Sequence, residues 1–288
     1  MKYSYTLLLF ILIIFISSCE LINPDDDIPA HIQINSFEFN TKPMEGTDSM
    51  DIVDAWLYVD GEVIGAFEIP VIIPVLSAGK HQIEVDPGVL VNGIAATRSI
   101  NPFFESYFEN VDFVPGSTLA IQPTSGYIDN VIFPWNSRGE EDFEEGGISI
   151  DSINGTSTII AKSDMDVYEG GYSGRIFLDK AHPDYAGQST MEFVLPKSGA
   201  AVVMEIHIKN TEVPIAIGMF VNKPGTVINV NHLGITPGPH WKKIYVNFSE
   251  LVSYYPTATS YRVTFKAELG STLDSTNIFL DNIKIMHL

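Results

Sequence analysis

The chain is 288 residues long, with 16 basic residues against 36 acidic ones and a formal net charge of −20. So acidic a balance argues against nucleic acid as a partner and against electrostatic adhesion to anionic lipid, since both would repel it. A single cysteine excludes an intrachain disulfide, and 45% hydrophobic residues suffice to fill one or two cores by packing alone.

Met1-Lys2 gives a positive start, and Leu7 to Ile16 is an unbroken apolar run. At about ten residues it is half of what a bilayer-spanning helix needs, but it matches the apolar region of a secretory leader. Ile16-Ser17-Ser18-Cys19 closes the run. This tetrapeptide resembles the lipobox of bacterial lipoproteins, in which an aliphatic residue and two small ones precede the acylated cysteine. The resemblance implies a cleaved leader, residues 1–18, and a palmitate-type anchor on Cys19 that holds the chain to a bilayer, the outer membrane in this layout. Residues 19–29 are acidic, carry Pro24 and Pro29 and lack periodicity, so they read as a tether. Asp25-Asp26-Asp27 resembles a displaced form of the acidic export signal of Bacteroidota lipoproteins, which leaves open whether the anchored chain faces the cell surface or the periplasm. Beyond the leader the best apolar stretch, Ile69 to Leu76, is too short to span and is broken by Pro70 and Pro74.

From Ala30 onward the periodicity is that of strands. His31 to Asn35, Ala55 to Val59 and Gln82 to Val85 alternate, and Asp60-Gly61 between two β-rich runs predicts a hairpin turn with positive φ. No amphipathic helix of ordinary length is legible. Leu57-Tyr58-Val59-Asp60-Gly61-Glu62-Val63-Ile64-Gly65, with Leu76-Ser77-Ala78-Gly79-Lys80-His81-Gln82-Ile83-Glu84-Val85 following, resembles the PEGA-type repeat. That implies a small immunoglobulin-like sandwich over residues 30–122, used as a spacer, with His81 a structural residue beside a turn. Residues 123–138 read as a junction.

The remainder, residues 139–288, holds four landmarks in order. They are Asp142-Phe143-Glu144-Glu145-Gly146, Tyr168-Glu169-Gly170-Gly171-Tyr172-Ser173-Gly174, Trp241-Lys242-Lys243-Ile244-Tyr245-Val246 and Leu280-Asp281-Asn282-Ile283-Lys284-Ile285. Together they resemble the galactose-binding-like jelly roll, which includes carbohydrate-binding modules of families 4 and 9. The fold class expected is therefore all-β: a small immunoglobulin-like β-sandwich followed by a larger jelly-roll β-sandwich. In that family the first glutamate and the last aspartate often hold a structural calcium ion, which implies Glu144 and Asp281 here, with backbone carbonyls completing the shell.

Alternation in Val202 to Lys209 puts Glu205 and His207 on the face away from the core. Trp241 and Tyr245 fall on that parity in their own strand, and so does Arg262 in a third. On one concave sheet these rings and hydrogen-bonding groups would suit a polysaccharide, whose C–H face stacks on an aromatic ring while its hydroxyls need directional partners. Catalysis has a weaker trace: Glu140, Asp142 and Glu145 copy the E-x-D-x-x-E spacing of family 16 glycoside hydrolases, but Glu141 stands where that family has an aliphatic residue. The layout as a whole resembles the surface glycan-binding lipoproteins of Bacteroidota. The expected function is a non-catalytic, membrane-anchored glycan binder. The alternatives are a structural or assembly lipoprotein with an outer-membrane protein partner and, behind it, a glycoside hydrolase.

Overall fold

The structure, a computed structural model, describes residues 28–288, so the leader, Cys19 and the tether up to Asp27 lie outside the described residues. The first domain contributes, in chain order, β1 (Ala30–Ile34), β2 (Glu38–Asn40), β3 (Asp54–Val59), β4 (Glu62–Glu68), β5 (Val71–Val75), β6 (Gly79–Leu90), β7 (Arg98–Ile100), β8 (Tyr107–Phe113), β9 (Thr118–Ile121) and β10 (Thr124–Gly126). β1 buries Ala30, Ile32 and Ile34 and turns His31 and Gln33 outward, the period of two that a half-buried strand requires. A three-stranded sheet, β5-β1-β9, packs on a five-stranded one in which β4, β3 and β6 are neighbours and β6 also carries β7 and β8. Ile32, Leu57, Ile73, Ile83 and Phe113 fill the space between them. Asp60 and Gly61 take φ of 50° and 80°, which gives the β3–β4 turn the twist of its flanking strands. His81 ties that turn to the next, bonding Asp60 through Nδ1 at 2.6 Å and the Ala78 carbonyl through Nε2 at 3.2 Å.

The second domain contributes β11 (Ile150–Ser152), β12 (Ile160–Ser163), β13 (Ser173–Asp179), β14 (Asp184–Ser189), β15 (Val202–Asn210), β16 (Ile215–Lys223), β17 (Thr226–Ile235), β18 (Lys242–Asn247), the single-turn helix α1 (Ser249–Tyr254), β19 (Ser260–Glu268) and β20 (Ser275–His287). They form two five-stranded sheets, β11-β14-β19-β16-β17 and β12-β13-β20-β15-β18, antiparallel throughout, facing each other as a jelly-roll sandwich. Ile206, Ile208, Ile217, Val263, Phe265, Ile278 and Ile285 make its core, and Trp135 from the preceding segment is buried with them.

A third core joins the two sandwiches. Phe39, Phe103, Phe104 and Tyr127 from the first half meet Val203, Tyr245 and Met286 on the outer face of the β12-β13-β20-β15-β18 sheet. Phe39, Phe104 and Tyr127 contact one another edge to face at 4.8–5.6 Å, the geometry their quadrupoles favour. Residues 123–138, between the two sandwiches, are packed: β10 pairs with β2, Ile132 bridges His287, and Tyr127 and Trp135 sit in different cores. Residues 41–53, which form no strand, lie across the same outer face. Lys284 Nζ donates to the carbonyls of Glu45 (2.6 Å) and Thr47 (3.2 Å), Lys243 Nζ donates to that of Ser49 (2.7 Å), and Asp51 N donates to the Tyr245 hydroxyl (3.0 Å).

Candidate functional site

Strand alternation on β15 and β18 does place Glu205, His207 and Tyr245 away from the jelly-roll core, but that face is not open to solvent there. Glu205 is 0% exposed, His207 1% and Tyr245 3%, because Tyr127 lies on Glu205, Asp51 and the aromatic core of the first domain lie on Tyr245, and the Tyr168 ring lies on His207. Arg262 does not join them. It stands on β19 in the opposite sheet and donates to the carbonyls of Ser189 (2.8 Å) and Thr190 (2.6 Å) and to Glu192 (3.2 Å). The expected single open groove of Trp241, Tyr245, His207, Glu205 and Arg262 is corrected accordingly. Alternation fixes a side chain's face on its own strand, but neither which sheet that strand joins nor what lies over the face.

The covered half is an electrostatic seam. Glu205 takes a salt bridge from Lys243 at 2.7 Å, faces Lys284 at 3.9 Å and accepts the Tyr127 hydroxyl at 3.1 Å. Burial, with Lys243 beside it, brings Lys284 down to about 8 despite the pull of Glu205. His207 stacks under Tyr168, ring centroids 3.8 Å apart and 18° from parallel, and among the described residues neither ring nitrogen has a partner. Burial and then the two lysines push it down to about 2, so the imidazole is neutral.

The uncovered half is different in kind. The loop between β12 and β13 brings Tyr168, 38% exposed, edge-on to Trp241 at 5.7 Å. Trp241 Nε1 donates to Asp166 Oδ1 (2.7 Å), and Lys209 Nζ meets the other oxygen of that carboxylate (2.5 Å). Further along the same face Arg175 lies over the exposed Phe177 ring at 4.9 Å and donates through Nε to Asn277 Oδ1 (2.7 Å). Rings beside oriented donors and acceptors are what a neutral sugar surface needs. Of the expected residues only Trp241 belongs to this set. Tyr168 and Asp166 were hidden because they project from a loop, where alternation carries no information.

Glu144 and Asp281 both grip that loop. Glu144 Oε1 accepts the N–H groups of Gly171 and Tyr172, each at 2.9 Å, while Asp281 accepts those of Tyr168 (3.3 Å), Glu169 (3.4 Å) and Asn282 (3.0 Å). Burial pushes the Asp281 carboxyl up to about 7, outweighing the N–H groups that pull it down. A cavity of about 290 Å3 opens beside them, lined by Glu140, Asp142, Glu144, Glu169, Thr47 and Asn282. Among the described residues no group of three or more His, Cys, Asp or Glu side chains converges closely enough to hold a metal ion. The members of the glycosidase-like trio hold different partners, although Glu140 and Asp142 line the same cavity. Glu140 is buried, accepting Thr47 N (3.2 Å) with Lys284 4.0 Å away, whereas Asp142 and Glu145 both pair with Arg138.

No protein family matches the sequence, and no curated protein matches it. Among solved structures the chain is similar to the C-terminal family 22 carbohydrate-binding module of Clostridium thermocellum Xyn10B, at 14% identity and a TM-score of 0.39, over 51% of this chain and 92% of that one. It is similar to TmCBM61, solved in complex with β-1,4-galactotriose, at 17% identity and a TM-score of 0.35, over 54% and 98%. A structure from work on carbohydrate-binding modules of the β-sandwich superfamily aligns over 91% of this chain and 99% of that one, at 15% identity and a TM-score of 0.40. The class this fold defines is an all-β protein of two joined sandwiches, the second a jelly roll.

Proposed function

We propose that the chain is a non-catalytic envelope lipoprotein, anchored through Cys19, whose jelly roll binds glycan on the uncovered half of the β12-β13-β20-β15-β18 sheet. The observation that carries this reading is the pair of the exposed Tyr168 and the half-buried Trp241, with the Asp166–Lys209 pair beside it. One ring offers a stacking face, and the charged pair offers directional partners for hydroxyls. Affinity electrophoresis across soluble polysaccharides is the test. At least one polysaccharide retards the wild type, and Trp241→Ala weakens that binding about 10- to 100-fold, the loss expected of a central aromatic anchor. Retention by no polysaccharide, or equal retention of wild type and variant, would sink the assignment.

The same reading gives Glu144 and Asp281 a calcium ion that braces the loop bearing Tyr168. The donor chemistry is right, since both are hard carboxylate oxygens reaching one segment, although each would have to turn from its N–H partners toward the ion. Calcium then raises the thermal midpoint of the wild type above its value in chelator, and raises that of Asp281→Asn far less. An identical midpoint with and without calcium removes the ion from the reading. One observation favours the assembly alternative: the first domain closes half of the face, as in a protein built to present its outer surfaces to a partner. Stoichiometric co-purification with an outer-membrane protein, without retention on any glycan, would select it.

A further inference from the structure

Among the described residues one end of the first domain carries no charge, although Asp25-Asp26-Asp27 directly precede Ile28 in the sequence. Ile28-Pro29, the β5–β6 turn Leu76-Ser77-Ala78-Gly79 and the β8–β9 turn Val114-Pro115-Gly116-Ser117 meet there. Gly116 N donates to the Pro29 carbonyl at 3.0 Å and His31 N to that of Ser117 at 2.9 Å, while Ala30 pairs with Val75 and Gly79 with Phe113. None of these residues is ionisable, in a chain with 36 acidic and 16 basic ones. Three of them are large aliphatics left in water, with Ile28 67% exposed, Leu76 72% and Val114 56%. Single exposed aliphatics need no explanation, but three on one uncharged end of so acidic a protein are not scatter. Charge resumes just behind them. Lys80 and Asp112 stand one residue in from the turns, and Asp60 and Glu62 are level with Gln82 further along β6.

The position of this end is as telling as its composition. β6 has twelve residues and so runs about 40 Å at roughly 3.3 Å per residue. It starts at the uncharged end with Gly79 and finishes against the jelly roll, where Val91 bridges Tyr245 and Asn92 N donates to the Tyr245 carbonyl at 2.8 Å. The uncharged cap and the joint to the jelly roll thus lie at opposite ends of β6. Cys19 precedes Ile28 by nine residues, a length of chain whose reach is at most about 30 Å. A tether so short holds the cap beside whatever surface the cysteine is fixed to, at an effective concentration high enough for a weak apolar contact to persist.

We propose that the Ile28, Leu76 and Val114 cap is a membrane-docking surface, resting its aliphatic side chains among the lipid headgroups and pointing the jelly roll away from the bilayer. The occupant is the lipid surface itself. Among its described residues the cap offers no cation to an anionic lipid, so its contact is apolar. The proposal rests on lipidation of Cys19, and the experiment keeps the two apart. The lipidated mature protein is incorporated into phosphatidylcholine vesicles containing a spin-labelled lipid. It carries an environment-sensitive fluorophore on Leu76→Cys, Val114→Cys or, as the distal control, Tyr254→Cys, a position 77% exposed in the jelly roll. Acylation blocks the Cys19 thiol, so each variant has one reactive sulfur. The expected result is quenching at 76 and 114 several-fold stronger than at 254. Acylated, vesicle-bound protein with equally weak quenching at all three positions overturns the cap while leaving the anchor intact. A chain that carries no acyl group and does not float with vesicles overturns the anchor, and the cap falls with it. A photo-crosslink from residue 76 to one protein in native membranes, in place of lipid, reassigns the cap to a protein partner and likewise overturns the proposal.

Discussion

Glu205 sets the energetics of the face between the domains. It is one carboxylate with two ammonium groups within 3.9 Å and no solvent access, and the lysines spend their remaining donors on carbonyls of residues 45–49. Such a seam is a weak source of net stability while intact, yet costly to break, because removing one partner strands the other charge. Glu205→Gln is therefore expected to lower unfolding free energy by about 3–5 kcal/mol in urea titration, and a loss under about 1 kcal/mol would show that water reaches the lysines. Lys284 adds a pH signature. Its folded value, about 8, lies below the ordinary 10.5, so between those limits the unfolded chain holds more protons and stability rises with pH. Urea midpoints at about pH 8 and about pH 9.5 are expected to climb in the wild type relative to Lys284→Met, and the difference cancels the tyrosine contributions that both share. A flat difference would mean that the amine is ordinarily solvated.

At the scale of elements, what was legible is what local periodicity controls. The inward sets of β15, β18 and β19, namely Val202, Met204, Ile206 and Ile208, then Ile244 and Val246, then Tyr261, Val263 and Phe265, all lie in the jelly-roll core, as their alternation implies. β6 was legible only over Gln82 to Val85, whereas the strand runs from Gly79 to Leu90. Beyond Val85 it pairs Asp86, Pro87 and Gly88 with Trp56, Ala55 and Asp54 of β3, and the approach is close enough to need a glycine, since a Cβ on Gly88 would stand 2.8 Å from Asp54 Cβ and from Trp56 Nε1. The outward sets were the opposite case. Val203, Glu205, His207 and Tyr245 have the parity of solvent-facing residues and are buried, because pieces distant in the chain lie on them: the aromatic core of the first domain on Val203 and Tyr245, Tyr127 on Glu205, and the Tyr168 loop on His207. Sheet membership and cover are long-range properties, and no window of sequence around His207 or Arg262 contains them. Tyr168 and Asp166 escaped for a related reason, since a loop side chain's direction is set by what grips the loop, here Glu144 and Asp281.

For the whole molecule, the third core decides whether two sandwiches behave as one. Phe103 and Phe104 are nearly fully buried in it, as are Tyr127, Tyr245 and Met286, so separating the domains would expose these apolar side chains to water. The Lys243 and Lys284 bonds to residues 45–49 would break in the same event, leaving carbonyls and ammonium groups to be rehydrated together. Unfolding is thus expected to be a single calorimetric transition. Phe104→Ala removes a ring that touches Phe39, Tyr127 and Tyr245 at 4.8–6.1 Å, and should cost about 3–5 kcal/mol at the joint while leaving each sandwich's own core unaltered. The expected outcome in scanning calorimetry is that this variant splits the single transition into two, the first belonging to the smaller domain, while its glycan retention stays that of the wild type. Two transitions already present in the wild type would mean that the sandwiches fold independently. In that case the covered half of the face could open, and Glu205, His207 and Tyr245 would return as candidate ligand contacts. One transition in both proteins would place the coupling in the lysine seam instead of the aromatic core.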